Sequence, residues 1–164
     1  MEMTDTIWPE ADLDPVRRLR VMAAVIPGAV YAEDVLPLSF DEVWAVAADL
    51  ENEFPRLLTD VRTMRITRAD GERLEALARG RFGQRARFDV VLRPGWCWMQ
   101  SRFLLGGMAA AAEADRTRFA FMGTLRVPGA RLLHPLSHAL GASPGSRVIH
   151  RMARRASARA QEPQ

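Results

Sequence analysis

Two histidines have the spacing of a chemical site. His134 and His138 are four residues apart in "ARLLHPLSHAL", so a helix would place both imidazoles on one face. A general acid or base role is the stronger chemical hypothesis, because imidazole carries protons near neutral pH. Metal binding is weaker, since HExxH is absent and the sequence indicates no third ligand. The leading interpretation remains a polar helix face or a structural hydrogen bond, and no metal site is predicted.

Three other residues carry groups that could act in a chemical site, but the sequence pattern places no partner group beside them. Tyr31, the only tyrosine, lies in a predicted strand and could face inward as a hydrogen-bond donor or face outward. Ser101 could orient a ligand carbonyl, but no histidine or acid is placed to activate it as a nucleophile. Cys97 is interpreted as a buried, inert thiol. The catalytic residues are therefore unknown, with His134, His138 and Tyr31 as candidates.

Composition narrows the class of protein. The 164 residues, 48% hydrophobic and 26% charged, are typical of one globular domain, and the single cysteine excludes an internal disulfide. The basic residues are all arginine and the net charge is only +3, so the sequence gives no reason to predict nucleic-acid binding. No apolar run approaches the roughly 20 residues that span a bilayer, and the N-terminus is acidic where a signal peptide would be basic. We expect a cytoplasmic protein. No phosphate loop or dinucleotide fingerprint is present, so no cofactor is predicted.

Segments with helical patterns flank a long region in which apolar and polar residues alternate with a period of two, as in β-strands. Ser39 and Glu42 have the spacing of a capping box, which is typical of a helix start. Short connections with turn residues, including "RPGW" and Gly106-Gly107, separate the strand-like segments. The predicted elements are helix 15–25, strand 29–38, helices 39–50 and 51–58, strands 61–68, 72–81, 85–92, 97–105, 108–114 and 117–127, and helices 130–140 and 146–161.

The run of four alanines at residues 109–112 is predicted to be a strand, because turns flank it and it is too short for a stable isolated helix. Turn positions fix the strand register, and they place bulky and small residues alternately on one face. Either a helix packs closely on that face, or a cavity remains there. The cavity interpretation predicts ligand contacts from Phe88, Met99, Ser101, Phe103, Ala110, Ala112, Phe119 and Phe121.

The order of elements resembles the helix-grip fold of the START-related superfamily, also called SRPBCC, and most closely its polyketide cyclase/dehydrase-like branch. The residues that carry the resemblance are "VYAEDVLPLSFDEVWAVAADLENEFPRLL" and "VRTMRITRADGERLEALARG". It implies an α+β fold in which a curved antiparallel sheet of about seven strands wraps around a C-terminal helix, with two short helices after the first strand. It also implies an apolar tunnel. Residues 1–28 are then an N-terminal extension with a short helix, and residues 29–161 form a single helix-grip domain.

Three functional hypotheses follow. The first is binding of a small apolar molecule, lipid- or polyketide-like, in the tunnel. The second is a polyketide cyclase or aromatase, acting without a metal or nucleotide cofactor, and the third is an interaction module with a collapsed cavity. Five arginines between Arg147 and Arg159 also make the last helix basic, so weak contact with an anionic membrane is a further partner hypothesis. The favoured interpretation of that helix is that its apolar stripe grips the sheet and its arginines stay in water.

Overall fold

The computed structural model of the chain describes residues 12–125 and 144–162. None of the described helices is long and apolar enough to cross a membrane. The predicted helix 130–140 lies outside the described residues. The elements, in chain order, are α1 (Pro15–Val25), β1 (Val30–Leu36), α2 (Phe40–Ala47), α3 (Phe54–Leu57), β2 (Val61–Asp70), β3 (Arg73–Gly80), β4 (Arg85–Arg93), β5 (Trp96–Gln100), β6 (Leu104–Glu113), β7 (Arg116–Leu125) and α4 (Pro144–Ala160).

The seven strands form one antiparallel sheet in the order β1-β7-β6-β5-β4-β3-β2. Strands β2 to β7 follow one another as a meander, and β1 closes the far edge by pairing with β7. Helices α2, α3 and α4 cover the concave face of this curved sheet. The predicted fold class is confirmed: it is the helix-grip arrangement, with one long C-terminal helix held by the sheet.

Local sequence signals set the helix starts. The side chain of Asp14 accepts a hydrogen bond from the Arg17 amide at 3.0 Å, and Pro15 occupies the first turn of α1. The predicted capping box of α2 is present. The Ser39 hydroxyl accepts from the Glu42 amide at 3.3 Å, and the Glu42 carboxylate accepts from the Ser39 amide at 2.8 Å. These caps satisfy amide groups that would otherwise have no partner at the helix ends.

The turn between β5 and β6 differs from the predicted one. The chain reverses over residues 101–103, whereas Gly106-Gly107 lie inside strand β6. The Ser101 hydroxyl accepts a hydrogen bond from the Leu104 amide at 2.9 Å, and the Ser101 amide donates to the Leu104 carbonyl at 2.8 Å. Serine forms such turns because its hydroxyl bonds the nearby backbone. The predicted two-residue hairpin at the glycines is therefore wrong.

The hairpin between β6 and β7 turns one residue earlier than predicted. Its loop is Ala114-Asp115 rather than Asp115-Arg116, and Ala114 adopts a φ of 54°, which residues other than glycine rarely do. Moving a turn by one residue shifts the pairing by two and keeps each side chain on its face. The partner of Ala110 is consequently Phe119.

Helix α1 packs on the convex face, against the outward side chains of β6 and β7. Glycine at position 107 is what allows this approach, because a Cβ atom there would stand 2.7 Å from Leu19 Cδ1 and 3.2 Å from Trp98 Cε3. Ala109 is fully buried beside it. The convex-face cluster consists of Val16, Leu19, Ala23, Trp96, Ala109, Ala120 and Met122. Half of the small residues in the alanine run therefore make room for α1 and not for a cavity.

Adding a methyl group at Gly107 should destabilise the fold, because Leu19 and Trp98 already occupy the space it needs. We expect Gly107→Ala to lower the free energy of unfolding by about 1–3 kcal/mol, the usual cost of overpacking. Urea denaturation measures this directly.

Gly106→Ala is the matched control. Its new Cβ would point to the concave face, where the nearest atom is Met99 Cε at an ordinary 3.6 Å. We expect its free energy of unfolding to change by less than about 1 kcal/mol. Equal losses in the two variants would contradict the close docking of α1.

Candidate functional site on the concave face

The concave face holds one continuous apolar cluster under helix α4. Five of the residues predicted as ligand contacts are buried there: Phe88, Met99, Ala110, Phe119 and Phe121. Helix α4 contributes Val148, Ile149, Met152 and Ala156, and α2 and α3 contribute Val43, Val46, Phe54 and Leu57. Their role in binding stays a prediction, but the structure brings these side chains together.

Most of this interior is filled by the protein's own side chains. Met108 and Phe119 have no surface that water can reach, and Met99 has 2%. Such side chains contact other protein atoms on all sides rather than line an open tunnel. Phe88 retains 8% and Phe121 retains 7% of their surface. The described part of the concave face is therefore a packed interior with small openings beside two phenylalanine rings.

The polar groups of this interior are satisfied within the protein. The Thr117 hydroxyl donates to the Leu38 carbonyl at 2.8 Å. Burial raises the pKa of the Cys97 thiol to about 12, so it stays protonated at neutral pH. Among residues 12–125 and 144–162, no buried side-chain nitrogen or oxygen lacks a hydrogen-bond partner. A molecule bound at this face would meet apolar atoms almost exclusively.

Three of the predicted ligand contacts lie elsewhere. Ser101 forms the β5–β6 turn, and Phe103 in the same turn is 52% exposed. Ala112 lies near the end of β6 and is exposed. The prediction failed here because it extended β5 to residue 105. In the structure β5 ends at Gln100, so Ser101 and Phe103 lie beyond the residues that pair with β6. The pairing of β5 with β6 therefore also differs from the predicted register.

Tyr31 does not face the concave interior. It lies on the convex side of β1, where its hydroxyl donates a hydrogen bond to the Glu33 carboxylate. The same carboxylate accepts from Arg20 of α1 at 2.9 Å and from Arg118 of β7 at 3.2 Å. Burial and the bond to Glu33 raise the pKa of Tyr31 to about 12. It therefore joins α1 to the sheet and does not serve as a proton carrier at neutral pH.

Helix α4 is clamped to α3 by an ion pair that the sequence pattern did not indicate. Glu53 is 4% exposed, and its two carboxylate oxygens accept from Nε and Nη2 of Arg155, both at 2.8 Å. Arg56 and Arg159 lie farther away, at 3.8 and 4.0 Å. The hydrogen bonds from Arg155 hold the pKa of Glu53 below its usual range despite its burial.

Two more arginines of α4 bind the helices that cover the concave face. Arg151 donates to the Leu57 carbonyl at 3.0 Å, at the end of α3. Arg159 lies 3.3 Å from both the Ala45 carbonyl and the Asp49 carboxylate. These three arginines keep part of their surface in water, as expected, but each also bonds the helices or loop below it. They hold α4 in place over the interior.

His134 and His138 lie outside the described residues, as does the segment between β7 and α4. Over residues 12–125 and 144–162, no three His, Cys, Asp or Glu side chains are grouped as a metal site requires. Of the other candidates, Tyr31 is bonded to Glu33 on the convex side and the Ser101 hydroxyl is bonded within its own turn, so neither supplies a proton-transfer group to this interior.

Removing the carboxylate of Glu53 should weaken the clamp. We expect Glu53→Gln and Arg155→Gln each to lower the free energy of unfolding by about 1.5–3 kcal/mol in urea denaturation, because each disrupts charge-assisted hydrogen bonds to a carboxylate that is 4% exposed. Arg154→Gln is the control: Arg154 is the exposed neighbour, and surface changes usually cost less than about 0.5 kcal/mol.

The clamp also predicts a pH dependence. The pKa of Glu53 is lowered in the folded protein, so its stabilisation is present above the unfolded pKa and is lost as pH falls through the folded one. Between about pH 5 and pH 2, wild-type stability should fall more steeply than that of Glu53→Gln. Parallel stability curves for the two proteins would contradict the clamp.

Comparison with known proteins supports the fold. No model of a protein family matches the sequence, and no curated protein matches it. Solved structures match well. The TTHA0849 protein of Thermus thermophilus is 20% identical, with 82% of this chain and 99% of that chain covered and a TM-score of 0.62. The Zhui aromatase/cyclase of Streptomyces sp. R1128 is 14% identical, with 81% of this chain and 95% of that chain covered and a TM-score of 0.59. A START superfamily protein of Mycobacterium smegmatis is 12% identical, with 79% of this chain and 97% of that chain covered and a TM-score of 0.52.

These identities are low, so the likeness concerns the fold. It extends over nearly the whole of each solved chain and over about four fifths of this one. The same arrangement was implied by the capped helix, the short second helix and the six-stranded meander of the sequence. The chain has the helix-grip fold of the START-related proteins.

Proposed function

We propose that this protein binds a small apolar molecule, lipid- or polyketide-like, between the concave face of its sheet and helix α4, and that it does so in the cytoplasm. The support is a buried interior made of apolar side chains whose few polar groups are already bonded within the protein. An interior of this kind can favour a ligand through contact and desolvation, but offers no charged group to orient it.

The observation that carries the proposal is the share of methionine in this interior. Met64, Met99, Met108 and Met152 all belong to the concave cluster. Methionine has three rotatable torsions and a polarisable sulfur, so it fills irregular spaces and can change shape at low cost. The four methionines are the members of this cluster that could change shape to admit a guest, since its valine and leucine side chains are stiffer.

Small residues on β3 and β4 mark where a guest would fit with least rearrangement. Ala76, Ala78 and Ala86 face the concave side, with Ala76 opposite Phe88 and Ala78 opposite Ala86. Ala78 and Phe88 are also among the residues that keep a small open surface. Helix α4 contacts β1 and β7, so this half of the face is the part it covers least.

An apolar fluorescent probe tests the proposal. Native protein should bind the uncharged probe N-phenyl-1-naphthylamine saturably, and native mass spectrometry should detect apolar molecules that co-purify and can be extracted with solvent. Ala78→Leu places a branched side chain in the proposed space. We expect at least a roughly tenfold loss of probe affinity, comparable to the effect of altering an apolar pocket by one methylene group.

Ala112→Leu is the matched control, because Ala112 is exposed beyond the interior. It should bind the probe as tightly as the wild type. Two outcomes would contradict the proposal: no saturable uptake by the native wild-type protein, or equal affinities in Ala78→Leu and wild type.

The alternative is a cyclase or aromatase acting on a polyketide-like chain, and its specific support is the fold shared with the Zhui aromatase/cyclase. Among the described residues, Cys97 is the only titratable member of the concave cluster, so catalysis would depend on positioning or on His134 and His138. A synthetic poly-β-ketone thioester discriminates the two functions. Protein-dependent formation of an aromatic product, lost in His134→Ala or His138→Ala, would establish the alternative. Probe binding without such turnover favours binding alone.

Contact between helix α4 and an anionic membrane stays a prediction, and the structure leaves it few exposed charges. Arg151, Arg155 and Arg159 are bonded to α2, α3 and the loop between them. Arg147 and Arg154 are exposed and make no ion pair with a described carboxylate. Two such arginines give weak attraction, because each contributes only about 1 kcal/mol near an anionic surface.

A further inference from the structure

The hairpin of β3 and β4 ends in a fully exposed aromatic ring. Phe82, at the tip of the turn, is 95% exposed, the highest value among the large apolar side chains of the described residues. Folding leaves this ring in water although an ordinary turn would be polar at this position. The tip therefore presents an apolar group to solvent.

The turn that carries Phe82 is built by specific contacts. Gln84 folds its side chain back over the turn, so its carboxamide oxygen accepts from the Phe82 amide at 3.0 Å. Its backbone carbonyl accepts from the Gly80 amide at 2.8 Å. A Cβ at Gly80 would lie 2.1 Å from the Gln84 side-chain nitrogen, so a larger residue there would displace this side chain from the turn. Gly83, at φ of 80°, completes the reversal.

Arginines are frequent in the strands and turn that carry the ring. Arg79 faces Arg85 directly across the hairpin, Arg81 is next to Phe82, and Arg87 follows on the same convex side. Arg62 on β2 is also exposed. Within the described parts of the chain, none of these five makes an ion pair with a carboxylate. We call Phe82 with these five arginines the hairpin tip.

The tip holds more arginine than acid, although the exposed Asp60, just before β2, accepts a hydrogen bond from the Arg81 amide through its backbone carbonyl at 3.3 Å. Acidic residues of β2 to β4 cluster toward the opposite end, where Asp70 pairs with Arg73 and Glu75 pairs with Asp89 in the sheet register. Like charges that face each other directly across a sheet are destabilising. An anionic partner would remove that repulsion at the Arg79–Arg85 pair.

We propose that the hairpin tip docks on the surface of an anionic phospholipid membrane, with Phe82 inserted among the lipid headgroups and the arginines bound to their phosphates. This pairs each feature with a complementary one: the ring with the apolar boundary of the bilayer, and the arginines with negative charge. The docking surface differs from helix α4 and does not depend on whether the concave face takes a ligand.

The shape of the tip favours a membrane over a nucleic acid. Single-stranded nucleic acid is bound in grooves where several aromatic rings stack on successive bases. The tip is instead a projecting turn with a single ring. Among the described residues β5 ends at Gln100, opposite Asp89, and leaves the tip end of β4 without a strand partner other than β3. A projecting turn suits a flat surface better than a groove-bound strand.

Co-sedimentation of the full chain with vesicles tests the proposal. We expect binding to vesicles of equal parts phosphatidylcholine and phosphatidylglycerol at low salt, and little binding to pure phosphatidylcholine or at high salt. Phe82→Ser should weaken the partition coefficient roughly tenfold, the contribution of one partly buried aromatic ring. Phe82→Trp should retain binding, because tryptophan also anchors at the interface.

Two charge variants locate the surface. Arg79→Gln with Arg85→Gln should reduce the partition coefficient roughly 30-fold, at about a 5-fold loss per arginine. Arg147→Gln with Arg154→Gln removes the same charge from α4 and should leave partition within about 3-fold of the wild type, because those arginines lie outside the docking surface. Val21→Ser, which removes an exposed apolar side chain from α1, should have no effect.

Thermal unfolding should be unchanged in Phe82→Ser, since the ring contacts almost nothing in the fold. The proposal is overturned if the wild type does not bind anionic vesicles at low salt, or if only the α4 double variant loses binding. It is also overturned if the protein binds a single-stranded oligonucleotide through Phe82 while ignoring vesicles.

Discussion

Strand β6 is buried on both faces, and the arrangement of the molecule depends on how that burial is achieved. Its outward residues Gly107 and Ala109 lie under α1, while its inward residues Met108 and Ala110 lie in the concave cluster. Larger side chains on the convex side would push α1 away and expose the aromatic and methionine residues beneath it. Two-sided burial explains why this stretch combines glycine, alanine and methionine with no charge until Glu113.

On each face of the sheet, a glutamate bonded to arginine fixes the covering helix. On the convex side, Glu33 gathers Arg20, Tyr31 and Arg118 into a network that fixes α1. On the concave side, the buried Glu53–Arg155 pair fixes α4 against α3. Buried ion pairs restrict geometry more than they add stability, so they suit positions where a helix must stay in register. The interior they frame is packed with adaptable methionine side chains, and a guest could enter without breaking either network.

The sequence predicted the features that depend on neighbours along the chain. Ser39 and Glu42 lie three residues apart, and the "RPGW" turn fixes the pairing of Leu92 with Cys97 through local geometry alone. Prediction from the sequence failed where an element far away along the chain determines the local structure. Gly106-Gly107 have turn chemistry, yet they lie in a strand, and Leu19, far away in sequence, occupies the space over Gly107. Because the turn lies at residues 101–103 instead, Ser101 and Phe103 are part of the turn and not of the predicted site.

The candidate site was predictable as a face and not as a set of contacts. Alternation along β4 and β7 placed Phe88, Phe119 and Phe121 on one side, because strand geometry has a period of two. Which side Tyr31 takes depends on the position of α1, and the clamp joins residues 53 and 155 from opposite ends of the domain. No local pattern encodes such pairs, since their spacing in sequence is arbitrary.

Methyl NMR of the methionine side chains is the measurement that tests the central claim most directly. The account predicts that titration with an apolar probe shifts the methyl signals of Met99, Met108 and Met152, on the concave side. It also predicts that Met122, equally buried but under α1 on the convex side, is unaffected. Shifts confined to Met122, or no shift at any buried methionine while the probe binds, would contradict a ligand site on the concave face.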